Sequence, residues 1–137
     1  MTDAEGSFGA LLEETLDSHL GFEYFDIKED SARGRFPVTN RVRQPYGLVH
    51  GGVYAALAES IASIATVLAV QADGNIAVGL SNATNFIRPA TEGNVNAVAT
   101  RRHRGRTTWI WDVDMTDDDG RLCATTRVTM AVRPRPE

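Results

Sequence analysis

Apolar residues at Val53, Leu57, Ile61, Ile64 and Leu68 recur three or four positions apart, which predicts one long helix over residues 51–72. The rest of the chain follows a shorter period. Residues 22–27 and 32–38 read as two strands joined by a polar turn at Glu29-Asp30-Ser31. Residues 76–87, 94–103, 107–115 and 122–132 read as four more, with a hairpin turn at Asp117-Asp118-Asp119-Gly120. Pro45 and Gly47 break residues 40–49 into a loop, and Asp73-Gly74-Asn75 is a turn. Upstream, Phe8, Leu11, Leu12, Leu16 and Leu20 have helical spacing, with Ser7 as cap and Gly21 as terminator, so residues 1–20 form an N-terminal helical segment. Residues 21–137 then form a single α+β domain, one long apolar helix against an antiparallel sheet of five or six strands.

The length of 137 residues is enough for one buried core. The single cysteine, Cys123, excludes an internal disulfide and suits a reducing cytoplasm. The N-terminus is acidic and lacks an apolar segment, so no signal peptide is expected. The net charge of −4 is unevenly spread. Residues 1–30 hold nine acidic side chains against Lys28 alone, while all thirteen arginines fall in residues 31–137. The body of the domain is mildly basic and the acidic start is solvated.

The helix is unusual on its less apolar side. Instead of Lys, Glu and Arg it carries Ala55, Ala62, Ser63, Thr66 and one charge, Glu59. That poverty of charge predicts cover on most sides and a carboxylate in a dry place, where it must be paired, protonated or held for a purpose. His50-Gly51-Gly52 precedes the helix. Glycines there leave backbone N–H groups unobstructed at the positive end of the helix dipole, where a developing oxyanion can be held. Glu59 lies about 13 Å beyond His50 and half a rotation round, so one substrate atom cannot touch both the Gly51 amide and Glu59 of one helix. If both act on one bond, two antiparallel copies of the helix must supply them, and enzymatic chemistry requires a symmetric homodimer. Ser63, four residues after Glu59, shares its face and is placed to hold a water or the carboxylate, or simply to pack.

Three motifs together, His50-Gly51-Gly52, Leu57-Ala58-Glu59-Ser60 and Gln44-Pro45-Tyr46-Gly47-Leu48, resemble the hot-dog-fold acyl-CoA thioesterases. The similarity is to the glutamate-dependent branch of 4-hydroxybenzoyl-CoA thioesterase and 1,4-dihydroxy-2-naphthoyl-CoA hydrolase. It continues through Val78-Gly79-Leu80, Asn85-Phe86-Ile87-Arg88 and Gly120-Arg121-Leu122-Cys123, across most of residues 20–132. The resemblance implies a sheet wrapped round the helix, two subunits joined edge to edge, and a tetramer built as a dimer of dimers. It implies an acyl-CoA substrate, with CoA as part of that substrate and no cofactor. It also assigns His50 and Gln44 to orienting the thioester carbonyl and leaving group. Asn85, Phe86, Ile87 and Arg88, with Arg104, Gly105, Arg106 and Thr107, would lie along the CoA.

Apart from that implication, the run Arg101-Arg102-His103-Arg104-Gly105-Arg106 reads equally as a solvated strand end. Nucleic-acid binding is disfavoured because the aromatic platforms are missing and the net charge is negative. A membrane span is disfavoured because the helix is Ala-rich with a central glutamate. His19, His50 and His103 lack metal-ligand spacing, the Asp117–Asp119 run is no calcium loop, and no Gly-x-Ser-x-Gly elbow occurs. The carboxylate is therefore expected to do the work, as nucleophile or general base, on a thioester whose carbonyl accepts the Gly51 N–H. Tyr46, Tyr54 and Phe86 lean the acyl group towards an aromatic one. A hot-dog dehydratase or isomerase and a non-catalytic acyl-CoA-binding protein are the alternatives.

Overall fold

The computed structural model describes residues 14–137. Its elements are a one-turn helix α1 (Leu16–His19), strands β1 (Glu23–Phe25) and β2 (Ser31–Pro37), the central helix α2 (Gly51–Val70), and strands β3 (Asn75–Phe86), β4 (Asn94–Arg104), β5 (Thr108–Thr116) and β6 (Leu122–Pro134). All strand pairs are antiparallel, in the spatial order β1-β2-β4-β5-β6-β3. The α+β arrangement expected from the hydrophobic pattern is present, with six strands curled round one helix. Of the predicted N-terminal helix, Leu16–His19 is helical with Thr15 as its cap. Ser7, Phe8, Leu11 and Leu12 lie outside the described residues.

Alternation along the strands decides what the sheet turns inward. On β5, Trp109, Trp111, Val113 and Met115 are buried, and Val95, Ala97 and Ala99 do the same on β4. The helix answers with Val53, Leu57, Ala58, Ile61, Ala62 and Ala65, where small side chains let the sheet approach closely. Val53, Leu57, Ile61 and Ile64 of the predicted stripe are buried, but Leu68 is exposed, and Val70 takes the core-facing place in the last turn. By length and composition the segment Gly51–Asp73 is apolar enough to cross a bilayer. Its apolar side is instead spent on the sheet.

One polar link crosses the core. Thr66 is fully buried, donates its hydroxyl to Ala62 O at 2.7 Å, and accepts the Trp111 indole N–H at 2.9 Å. Thr66→Val keeps the shape and strands that indole donor, a loss worth about 1–3 kcal/mol. The expected result is a lower urea midpoint at fixed protein concentration with an unchanged slope. An unmoved midpoint would show that the bond contributes nothing.

Candidate active site

The helix entry is built by its own first residues. His50 is the N-cap, and its Nδ1 accepts the Gly52 N–H at 2.8 Å. A neutral ring that accepts at Nδ1 carries its proton on Nε2, which leaves a donor facing outward. The His50 carbonyl takes the Val53 N–H at 3.0 Å. That leaves the Gly51 N–H with no acceptor among the described residues. An exposed helix-end amide of this kind can receive a developing negative charge.

A cavity of about 380 Å³ opens beside this amide, lined by Gln44, Gly51, Tyr54, Phe86, Ile87 and Arg88 among others. Gln44 Oε1 accepts the Tyr46 N–H within its own loop, which fixes the amide and turns its NH₂ outward. Phe86 stands over the helix entry, and a Cβ added at Gly51 would lie 2.8 Å from its ring. Gly51 is thus required by close approach. Tyr54, three residues on and on the same helix face, is 3% exposed, packs its ring 6.3 Å from that of Phe86, and accepts the Ala90 N–H. Cys123 also lines this cavity. It is fully buried, and burial pushes its thiol pKa up, which keeps it protonated and inert.

Glu59 lies elsewhere. It is exposed, not dry, which corrects the expectation drawn from the charge-poor helix face. β3 is the last strand of the sheet, and no further strand among the described residues covers the helix beyond it. The carboxylate lies over bare backbone, with its Oε1 only 3.6 Å from where a Cβ on Gly79 would be. A β-bulge between Gly79 and Ser81 shapes the strand there. Ser63 turns inward, its hydroxyl 3.7 Å from Met130 Sδ, so in this chain it packs rather than serving Glu59.

The residues expected along CoA separate into three groups. Phe86, Ile87 and Arg88 line the cavity at the helix entry. Asn85 points to the other side of the sheet, into a groove of about 550 Å³ with Thr100, Arg102, Asp112 and Arg127. Arg104, Gly105, Arg106 and Thr107 lie at the far end of the same sheet. There Thr108 pairs with Ala131, which pairs with Val78, while Phe86 pairs with Ala124 seven residues away on β6. That is over 20 Å at about 3.3 Å per residue. Arg104 is already held by Glu29 and lies 5.0 Å over the Trp109 ring, and Arg101 shares both partners. Gly105 O accepts the Trp109 indole N–H, and Thr107 O accepts from Arg133. Arg88 and Arg106 carry no ion pair among the described residues. No group of His, Cys, Asp and Glu suited to a metal occurs among the described residues.

A six-stranded antiparallel sheet curled round one long helix is the hot-dog fold. The model of the Thioesterase superfamily matches residues 46–124, and the chain belongs to that superfamily. It is 35% identical to the 1,4-dihydroxy-2-naphthoyl-CoA hydrolase of Escherichia coli over 126 residues, 92% of each chain. It is 39% identical to the proofreading thioesterase EntH of Cronobacter turicensis, over 86% of this chain and 85% of that one. The crystal structure of a thioesterase from Haemophilus influenzae superposes with a TM-score of 0.89 at 36% identity, covering 100% of this chain and 95% of that one. The protein is accordingly a thioester hydrolase.

The Gly51 amide can be removed without breaking the helix. Gly51 is the first helical residue, where proline is tolerated, and His50 at φ −63°, ψ 131° already has the conformation that precedes proline. Gly51→Pro is expected to keep its helical circular dichroism and lose about 10²–10³ in thioester turnover. Gly51→Ala retains the N–H and displaces only the Phe86 ring, so its loss should be smaller. Equal losses in the two variants would assign the effect to Phe86 and not to the amide.

Proposed function

We propose that the protein hydrolyses an acyl-CoA, preferably an aromatic one, at a site formed between two copies of the chain. The observation that carries this is the division of the site. Gly51 and Glu59 lie on one rigid helix, about 12 Å apart along its axis. β3 has an unpaired edge twelve residues long with Val78, Leu80 and Phe86 exposed along it, followed by exposed Ile87. A long apolar edge strand is a template for another strand. Antiparallel pairing of two β3 strands about a two-fold axis near Asn82 sets Gly79 and Glu59 of one chain beside Phe86 and Gly51 of the other. The same operation brings the Arg104–Thr107 end of one sheet to the Phe86–Arg88 end of its partner, which closes the gap that separates them in one chain. Two such dimers then pair as the tetramer, through a contact separate from β3.

In that site the thioester carbonyl accepts the Gly51 N–H, a bond that strengthens as charge develops on oxygen. The partner subunit's Glu59 attacks the carbonyl carbon to give a mixed anhydride, or takes a proton from the attacking water. Pairing also covers the face that leaves Glu59 wet in the single chain, and a drier carboxylate is a stronger base and nucleophile. His50 Nε2–H and the Gln44 NH₂ lie on the carbonyl side as further donors. Of the arginines expected along CoA, Arg88 and Arg106 have no ion pair among the described residues and are free for its phosphates. The aromatic preference rests on Tyr54 and Phe86 at the apolar cavity wall. The single free cysteine and CoA chemistry support a cytoplasmic setting.

Glu59→Ala is expected to abolish release of free thiol from a panel of aryl- and alkyl-CoA thioesters while the oligomer persists. Unaltered turnover in that variant would refute the assignment. A dehydratase would act on the acyl chain without liberating CoA. Mixing the inactive Glu59→Ala and Gly51→Pro chains tests the shared site directly. Each mixed dimer holds one intact site, so random exchange should restore roughly a quarter of wild-type turnover. No recovery in mixed dimers would confine each site to one chain.

A further inference from the structure

We propose that Asn82 is a positioning residue for Glu59, acting through the helix backbone. The inference rests on the assignment of Glu59 made above. Asn82 sits on β3, half-buried on the face turned to α2, and its Nδ2 donates to Ala55 O at 2.9 Å. Ala55 is four residues before Glu59, so its carbonyl is the one that receives the Glu59 N–H in the regular helix. A carbonyl in mid-helix already has its partner and does not need a side chain. The Asn82 bond is therefore not a cap that satisfies an orphan group. It is a second donor placed on the carbonyl that sets the height and rotation of Glu59.

The Asn82 amide is held from behind. Thr84 Oγ1 donates to Asn82 Oδ1 at 2.7 Å, and Thr84 Oγ1 lies 2.9 Å from Thr126 Oγ1 on β6, where Thr126 is 2% exposed. With Oδ1 engaged by Thr84, only the NH₂ can face Ala55 O, since the flipped amide would set two oxygens against each other. The relay Thr126–Thr84–Asn82 thus ties the helical turn carrying Glu59 to the sheet three residues from Gly79, the bare backbone under its carboxylate. That tie fixes the helix against the strand along which the second copy pairs. It controls the offset between Glu59 and the partner's Gly51, and sub-ångström placement of such a pair governs the chemical step more than substrate binding.

The test compares steady-state kinetics of the wild type, Asn82→Leu, Asn82→Asp and Thr84→Val, with Glu59→Ala in the same assay. Asn82→Leu fills a similar volume without a donor, and is expected to lower kcat by about 10- to 100-fold with KM within about twofold. Thr84→Val leaves the donor but frees its amide, so its loss of kcat should be smaller. Asn82→Asp keeps the size and the Oδ1 acceptor but sets an oxygen against Ala55 O, so its loss of kcat should at least equal that of Asn82→Leu. A purely structural role would lower stability and active fraction but leave kcat per active site unchanged. An unchanged kcat per active site in Asn82→Leu, or in Asn82→Asp, overturns the proposal. Full turnover in Glu59→Ala overturns instead the reading on which it rests.

Discussion

The structure turns on one long rigid helix and the sheet that holds it. α2 presents an unengaged amide at Gly51 and a carboxylate at Glu59, and a helix cannot bend to bring them together. Every other element serves to hold that helix along the inner face of a sheet whose last strand has an open edge. The sheet order β1-β2-β4-β5-β6-β3 leaves β3 at that end, directly under Glu59. An incomplete site and an incomplete sheet therefore fall on the same side of the molecule. The proposed pairing of two chains would resolve both.

Polar groups within this frame fix position more than they add stability. His50 consumes the Gly52 amide through Nδ1 and leaves the Gly51 amide without an acceptor among the described residues. Thr66 joins the helix to Trp111 at the centre of the core. Asn82 joins it to the edge strand one turn before Glu59. Each bond reaches α2 from its entry or from a different strand, so the helix can neither slide nor rotate against the sheet. Glycine acts by absence at two further points. Gly51 admits the Phe86 ring, and Gly79 leaves open the space over which Glu59 lies.

Much of the fold was legible in the chain because alternating and three-to-four spacing report directly which faces are buried. The strand bounds, the 51–72 helix and the aspartate hairpin come from that local signal. His50-Gly51-Gly52 and the lone Glu59 stood out for the same reason, as departures from what a surface helix carries. The dryness inferred for Glu59 failed because a charge-poor face shows only that something covers it in the working assembly. It does not say whether the cover is the same chain. Arg104, which the resemblance put along CoA, is held over Trp109 by Glu29, a residue remote in sequence that no local pattern points to.

The sequence by itself determined the elements, the candidate donor and carboxylate, and their separation along one helix, since helix pitch alone sets Gly51 apart from Glu59. Tertiary structure decided which strand ends the sheet, which side chains Phe86 and Asn82 meet, and which arginines remain unpaired. Those outcomes depend on contacts between residues distant along the chain. Periodicity carries no information about them, because it records how often a face is buried and never against what.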